Sequence, residues 1–354
     1  MQQRIKNWII VTSILFLLSS SVFSGAQLTS QYKQLGKVNF TQIESNTVST
    51  LDFENLKCYN QIFDQCKMNN YQTNITYFFD FLQTDNEDYV ICGYGGTSSC
   101  MKSFLLKTDV FGNEIWNVTF DSVERSIFYS LDQTNDGGYI VTGYVNNKTG
   151  NSMDILLLKT DEYGNKEWRR TYNFGKYSVA NSVISSENDE YIIVGFTGEN
   201  TTHADHFILK TNNFGEIIWL KIVTAENPFT FYVNIVDLEN GGYLLGGTKM
   251  IEGIDQFFLI KVDENGNEIW EENYRLLNFT VGYDFLETSY GQIIVAGYTY
   301  NENQSVRYHM FVMKTDDIGQ EIWIKTYSDS AACSVDETED GQLIVSGDVF
   351  NEEG

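Results

Sequence analysis

Residues 107–116 read Lys-Thr-Asp-Val-Phe-Gly-Asn-Glu-Ile-Trp, and residues 314–323 read Lys-Thr-Asp-Asp-Ile-Gly-Gln-Glu-Ile-Trp. Versions of this phrase end on tryptophans that stand 52, 51, 51 and 53 residues apart: Trp116, Trp168, Trp219, Trp270 and Trp323. A fixed period near 50 residues is the sequence signature of a repeat architecture. We therefore expect the chain to build one kind of structural unit several times.

A second phrase recurs with the same period. Residues 136–144 read Asp-Gly-Gly-Tyr-Ile-Val-Thr-Gly-Tyr, and the counterparts begin at Asn86, Asn188, Asn240, Tyr290 and Asp340. An Asp-Gly or Asn-Gly pair supplies the positive φ angles of a tight hairpin turn. The aromatic and β-branched residues that follow favour a strand.

Each repeat is predicted to contain four strands. In the second copy we expect strands over 126–133, 139–144 and 154–160, and a fourth strand that carries Trp168. Four short antiparallel strands per ~50 residues are typical of a β-propeller blade. The rival β-solenoid has shorter, parallel coils without hairpin turns. The predicted fold is all-β, a six-bladed β-propeller spanning residues 52–348, and the repeated tryptophans are predicted to lock neighbouring blades together.

The two ends of the repeat region are expected to share one blade. The sixth Asp-Gly copy lacks the last two strands of its repeat, and residues 52–57 match 154–159 in pattern. The sixth blade is therefore predicted to combine 52–71 with 328–350, and the position of its tryptophan falls on Cys66. A truncated gene is the alternative explanation.

Two cysteine pairs share a spacing of eight residues: Cys58 with Cys66, and Cys92 with Cys100. Each pair flanks a predicted hairpin connection, so both are predicted to form disulfides in an exported protein. Cys333 is left over. The Cys58–Cys66 bridge is expected to replace the missing tryptophan of the closing blade.

The N-terminus has the pattern of a secretory signal over residues 1–26. Arg4 and Lys6 precede an apolar run over 8–18, and small residues before Gln27 offer a cleavage site. An uncleaved N-terminal anchor is the alternative. Residues 27–51 are assigned to an N-terminal segment and 351–354 to a tail. We expect a secreted or lumenal protein without membrane insertion after cleavage.

Seven Asn-x-Ser/Thr sequons agree with export and make the chain a predicted glycoprotein. They are Asn39, Asn74, Asn117, Asn147, Asn200, Asn278 and Asn303. The 354-residue chain has 48 acidic and 23 basic residues and a formal net charge of −25. Such a charge repels nucleic acids and anionic membranes. The expected partner is a protein or a glycan.

The two phrases resemble repeats of secreted β-propellers. Gly246-Gly247 followed by Trp270 is similar to a kelch repeat, and Asp161 to Trp168 resembles the docking motif of quinoprotein dehydrogenases with altered spacing. The resemblance implies the propeller fold but no chemistry. The quinoprotein enzymes use adjacent cysteines and the kelch-like copper oxidases use two histidines with tyrosines and a cysteine. This chain supplies neither set.

No catalytic or metal-binding motif stands out, and no catalytic, cofactor or metal residue is assigned. Of the three histidines, His203 and His206 flank Asp205, which is the aspartate of the repeat. A row of turn aspartates could bind calcium, although turn chemistry explains each one without a ligand. They are Asp109, Asp161, Asp263 and Asp316, together with Asp136 and Asp340. A pair of channel carboxylates for glycoside hydrolysis would leave no motif.

Variable loops are the expected place of function, because binding residues concentrate on loops over a rigid scaffold. They span 95–101, 145–153, 198–204, 249–254 and 299–308, and three sequons lie within them. The sequence thus predicts a secreted or cell-surface binding module without catalytic activity, for a protein or a glycan. The alternatives are a glycoside-hydrolase-like enzyme with an acid pair in the channel, and a structural surface-coat protein.

Overall fold

The structure is a computed structural model. It describes residues 37–42, 48–52, 76–84, 86–97, 100–120, 125–146, 151–200, 203–223, 230–300, 308–338 and 340–349. The signal sequence, Cys58 and Cys66 lie outside these residues.

The described residues form strands joined by turns. The strands are β1 (Lys37–Gln42), β2 (Val48–Asp52), β3 (Thr76–Gln83), β4 (Tyr89–Thr97), β5 (Cys100–Thr108), β6 (Glu114–Phe120), β7 (Ser126–Gln133), β8 (Tyr139–Asn146), β9 (Met153–Thr160), β10 (Lys166–Tyr172), β11 (Tyr177–Ser185), β12 (Tyr191–Asn200), β13 (His203–Thr211), β14 (Ile217–Val223), β15 (Thr230–Asp237), β16 (Tyr243–Ile251), β17 (Ile254–Val262), β18 (Glu268–Tyr274), β19 (Phe279–Glu287), β20 (Ile293–Tyr300), β21 (His309–Thr315), β22 (Glu321–Ser328), β23 (Ser330–Glu337) and β24 (Leu343–Val349). None of the described residues belongs to a helix with the length and hydropathy needed to span a membrane.

Four consecutive strands pair antiparallel in each repeat, as predicted. The chain divides into a first unit that contains Glu54–Ala225 and a second unit that contains Leu28–Phe53 and Glu226–Gly354. In the first unit the groups are β3–β6, β7–β10 and β11–β14, and in the second they are β15–β18 and β19–β22. Strands β7, β8 and β9 match the expected strands of the second copy, with β8 two residues longer than predicted.

The sheet at the C-terminus includes two strands from an early part of the chain. Its strand order is β2-β1-β24-β23, and Thr41 of β1 pairs with Val345 of β24. Strands β1 and β2 thus join β23 and β24 in one sheet. Residues 53–71, which were expected to complete the sixth blade, lie outside the described residues, so that assignment stays a prediction.

A bulge in the first strand of each group explains a glycine of the second phrase. The pairing of β3 with β4 shifts between Phe78 and Asp80, so Phe79 is the extra residue. A Cβ added to Gly93 on β4 would lie 2.0 Å from the carbonyl oxygen of Tyr77. Only glycine tolerates this close approach of the two backbones. The bulge in turn sets the directions of the Phe79 and Asp80 side chains.

Tryptophans pack between neighbouring groups within each unit. The ring of Trp116 on β6 lies 6.0 Å from that of Tyr139 on β8, and Trp168 on β10 lies 6.0 Å from Tyr191 on β12. Tyr172 on β10 donates a hydrogen bond of 2.6 Å to the carbonyl oxygen of Gly215, in the β13–β14 turn. These contacts join the outer strand of one group to the next group of the same unit.

The turn aspartates accept hydrogen bonds from their own turns. Asp109 Oδ1 accepts from the backbone N–H groups of Phe111 and Asn113 at 2.9 and 2.8 Å, and Oδ2 accepts from the Asn113 side chain at 2.7 Å. Gly112 completes the turn with a φ of 78°. Asp161 and Asp263 repeat this pattern. Local turn chemistry therefore accounts for these carboxylates.

The predicted Cys92–Cys100 disulfide is wrong. Cys92 is a free, buried thiol on β4. In the register of β4 and β5, Cys92 lies opposite Leu105 and Cys100 lies opposite Thr97. Five residues of strand therefore separate the two positions, roughly 17 Å at the usual rise, whereas a disulfide needs Cα atoms within about 7 Å. Two residues eight positions apart therefore do not lie opposite each other in this hairpin.

Candidate functional site

Aromatic side chains gather at one end of the first two groups of strands. The ring centroid of Tyr94 lies 4.9 Å from Tyr77 and 5.7 Å from Phe79, in stacked geometry. Phe79 meets Tyr129 edge-on at 4.8 Å, and Tyr129 lies 5.8 Å from Tyr144. We call these five residues the Tyr94 cluster. All five are partly exposed, so their ring surface is available to a ligand.

The second unit also has an aromatic cluster, in which Tyr283 and Tyr298 stand at the repeat positions of Phe79 and Tyr94. Tyr298 lies 5.5 Å from Tyr283 and 5.3 Å from Tyr308, and Tyr300 stacks on Phe279 at 4.5 Å. We call these five residues the Tyr298 cluster, and each member is again partly exposed. The pair of a bulge aromatic with the tyrosine after the glycine thus recurs in both units, whereas the other members of the two clusters differ.

The strands place both clusters beside the variable loops. Tyr94, Tyr144 and Tyr298 lie near the C-terminal ends of β4, β8 and β20, where the connections to the following strands begin. Each follows the glycine that the bulge requires. The cluster end of these strands is therefore opposite the tight turns that carry Asp109 and Asp161.

Sequence analysis missed these aromatics, although a signal was present. In three repeats an aromatic residue stands 15 positions before the tyrosine of a Gly-Tyr pair: Phe79 before Tyr94, Tyr129 before Tyr144, and Tyr283 before Tyr298. The first member lies at the strand bulge, which the alternation of strand residues does not reveal. Without the bulge, the two rings would not be expected to lie close to each other.

Burial changes the acidity of the cluster phenols. Desolvation, with Tyr77 and Tyr144 as neighbours, raises the pKa of Tyr94 to about 12. Desolvation also raises the pKa of Tyr144, against a hydrogen bond from Tyr129 that lowers it. The hydroxyls stay protonated at physiological pH and combine hydrogen-bonding capacity with an apolar ring.

Half-buried carboxylates lie next to the aromatic residues of both bulges. Asp80 Oδ1 accepts from Phe81 N–H at 2.8 Å, and Oδ2 accepts from Leu131 N–H of the next group at 3.0 Å. Asp284 repeats this arrangement with Phe285 and with Val335, the latter at 3.0 Å. Desolvation raises the pKa of Asp80 to about 7, while its hydrogen bonds oppose the shift.

A second aspartate accompanies each of these. Electrostatic repulsion from Asp132 contributes to the rise in the pKa of Asp80, and repulsion from Asp336 contributes to the rise in the pKa of Asp284. Asp132 Oδ2 accepts from Ser185 N–H at 2.7 Å. A raised pKa is a property of catalytic acids. Here, however, the carboxylate oxygens accept backbone N–H groups of neighbouring strands, and this contact stabilises the sheets.

The metal candidates do not come together in the part of the chain that is described. No three His, Cys, Asp or Glu side chains within it are placed to hold a metal ion. Asp205 and His206 lie on β13, where Asp205 pairs with Thr197 and His206 with Phe196. The position of the His203 side chain is outside the described residues.

The sequons fall in different environments. Asn117 on β6 is half-buried, and so is Asn278 before β19. Asn39 lies on β1 and Asn200 at the end of β12. The remaining sequons, Asn74, Asn147 and Asn303, lie outside the described residues. Glycosylation at all seven stays a prediction.

Comparison with known proteins gives structural neighbours only. No protein-family model matches the chain, and no curated protein matches it. A chimera of ACO and RPE65 aligns over 83% of this chain and 68% of its own, with 12% identity and a TM-score of 0.51. A subtype N10 neuraminidase-like protein of A/little yellow-shouldered bat/Guatemala/060/2010 aligns over 77% and 94%, with 11% identity and a TM-score of 0.45.

A β-xylosidase/α-arabinofuranosidase from a compost microbial metagenome, solved with xylotriose, also resembles the chain. It covers 77% of this chain and 94% of its own, with 12% identity and a TM-score of 0.40. At such identities the likeness concerns the fold alone. Within its described residues the chain is an all-β protein built from four-stranded antiparallel groups.

Proposed function

We propose that this protein is a secreted or cell-surface six-bladed β-propeller that binds glycans without catalysing a reaction. The observation that carries the proposal is a pair of aromatic rings that occurs three times at the loop ends of the strands: Phe79–Tyr94, Tyr129–Tyr144 and Tyr283–Tyr298. Export rests on the predicted signal sequence and the sequons. The blade number and the kelch-like or quinoprotein-like repeat type rest on the sequence pattern.

The chemistry of the clusters suits sugar rings. Partly exposed tyrosines offer an apolar face for the C–H surface of a sugar and a hydroxyl for its polar groups. Stacked neighbours hold each ring in place, so less side-chain freedom is lost when a ligand binds. Because the net charge is −25, neutral glycans are preferred over sulfated or carboxylated ones.

A glycan array with the full chain tests the proposal. Tyr94→Ala and Tyr298→Ala should each weaken binding to the preferred glycan. Phe111→Ala is the matched control, because Phe111 is an aromatic residue of 66% exposure at the opposite end of the strands. Binding that is lost equally in Phe111→Ala, or no binding to any glycan, would contradict the proposal. Capture of a protein ligand alone would favour the protein-binding alternative.

Enzymatic glycoside cleavage is the second candidate, favoured by the raised pKa of Asp80 and its neighbour Asp132. Asp80→Asn separates the two functions. A binding module retains its glycan affinity in this variant and releases no sugar in either form. Release of reducing sugar by the wild-type chain, abolished in Asp80→Asn, would establish the enzyme instead.

A further inference from the structure

A cavity of about 330 Å³ opens between the first two groups of strands in the first unit. The outer strand β6 forms one wall, and none of the lining residues belongs to the Tyr94 cluster. Residues of β6, β7, β9 and β10 and of the turn before β10 line the cavity.

The floor of this cavity is apolar. Phe128, Leu156 and Leu158 are buried and belong to the hydrophobic core between the two groups. Val118 and Phe120 extend the apolar wall along β6. Small-molecule pockets typically measure about 300–1,000 Å³ and combine such walls with a few placed polar groups.

The mouth of the cavity is cationic. Lys166 is exposed and Arg169 is half-buried, and both line the cavity together with the amide of Asn165. Two cations at one cavity are notable in a chain with a net charge of −25.

The same two positions differ in the other repeats. Lys166 stands two residues before its tryptophan and Arg169 one residue after it. The corresponding pairs are Glu114 and Asn117, Ile217 and Leu220, Glu268 and Glu271, and Glu321 and Ile324. Only the second repeat has a cation at both positions. A single repeat that departs from its relatives at two adjoining surface positions indicates a local function.

We propose that this cavity binds a small amphiphilic carboxylate, with its hydrocarbon chain on the apolar floor and its carboxylate between Lys166 and Arg169. Guanidinium and ammonium groups form strong, charge-assisted hydrogen bonds with carboxylates. The volume suits a hydrocarbon chain of medium length, whose burial against the apolar floor favours binding. This site is separate from the glycan surface proposed above.

Titration calorimetry of the full chain with octanoate tests the proposal, with octanol and butanoate as ligand controls. Octanol lacks the charge and butanoate lacks the chain length. The Lys166→Gln/Arg169→Gln variant should lose about tenfold in octanoate affinity, as expected for a lost charge-assisted hydrogen bond. Arg170→Gln is the matched control, because Arg170 donates instead to the carbonyl oxygen of Phe214 at 3.0 Å.

Saturable binding of octanoate, tighter than that of both control ligands and unchanged in Arg170→Gln, supports the site. Absence of saturable binding at millimolar octanoate overturns it, as does equal affinity for octanol. The comparison of ligands uses the wild-type chain, so it remains decisive even if the double variant does not fold. Equal octanoate affinity in a folded double variant would also overturn the proposal.

Discussion

The carboxylate of Asp80 accepts a hydrogen bond of 3.0 Å from the backbone N–H of Leu131, 51 residues later in the chain. Asp284 forms the same contact with Val335 in the second unit. Each aspartate thereby ties the first strand of one group to the first strand of the next. The repeat period brings the two partners together, and the bulge aims the side chain.

Asp80 should make stability depend on pH. Because its pKa is raised from 3.8 to about 7, the folded chain binds more protons than the unfolded chain between these values. Stability therefore falls as pH rises from about 4 to about 7 and levels off above it. In Asp80→Asn this part of the loss should disappear.

Thermal denaturation of both chains at a series of pH values measures this difference. Subtracting the Asp80→Asn curve from the wild-type curve removes the general repulsion among acidic residues. A wild-type chain that gains stability relative to Asp80→Asn between pH 4 and pH 7 would contradict the assigned shift.

Gly215 should resist substitution more strongly than Gly137. Both have positive φ, 72° and 83°, so alanine at either position costs about 1–2 kcal/mol of backbone strain. A Cβ at Gly215 would also lie 2.7 Å from Arg170 Cγ and 3.0 Å from Trp168 Cζ3, whereas Gly137 has no atom within 4 Å. Urea denaturation should show Gly215→Ala as the less stable variant by a further ~1–3 kcal/mol. Equal losses of stability in the two variants would show that Trp168 does not pack tightly against Gly215.

Tyr172→Phe should destabilise the first unit by about 1–3 kcal/mol, because the carbonyl oxygen of Gly215 would lose its 2.6 Å hydrogen bond. Tyr274→Phe should have a similar effect, since Tyr274 donates to Gly319 O at 2.6 Å. Tyr163→Phe is the control, because Tyr163 is 62% exposed on a turn. A loss of stability in Tyr163→Phe as large as in Tyr172→Phe would be the contrary result.

Lys159→Met should raise the pKa of Asp136. The buried Lys159 ammonium lies 2.9 Å from Asp136 Oδ2 and 3.2 Å from Glu167 Oε2. Desolvation raises the pKa of Asp136, but hydrogen bonds from Thr134 and Lys159 outweigh this effect and lower the pKa to about 2. The contribution of Asp136 to stability is therefore present above about pH 4 and lost as pH falls through 2.

Carboxyl NMR titration measures this pKa directly. Without the ammonium group, Asp136 keeps only its contacts with Thr134 and Gly138, so its pKa should rise. The pKa of Asp109, on a separate turn, serves as the internal control. An Asp136 pKa that does not move would show that Lys159 is not its partner.

The Cys92 thiol should stay unreactive in the folded chain. Burial raises its pKa well above the ordinary value, which suppresses the reactive thiolate. Alkylation in denaturant without reductant, followed by mass spectrometry of peptides, should modify Cys92 fully. A peptide that links Cys92 to Cys100 would restore the sequence prediction.

The strand and turn pattern could be predicted because it depends on neighbours in the chain. The Asp-Gly pairs and the alternating apolar residues specify β7 and β8 locally. One prediction that needed register did not succeed: Cys92 and Cys100 were paired across a hairpin without knowledge of its strand pairing. Register depends on which backbone groups form hydrogen bonds with each other. A spacing of eight residues between two cysteines does not specify this.

By itself the sequence determined an all-β chain of repeated four-stranded groups, because the periods of two residues and of about 50 residues are local and repeated properties. Only the tertiary structure decided which side chains of different repeats meet. Tyr129 reaches Phe79, and Leu131 reaches Asp80, because a bulge re-aims one strand and the next group packs beside it. Lys166 and Arg169 likewise share a cavity with β6 only after the outer strand of one group packs against its neighbour.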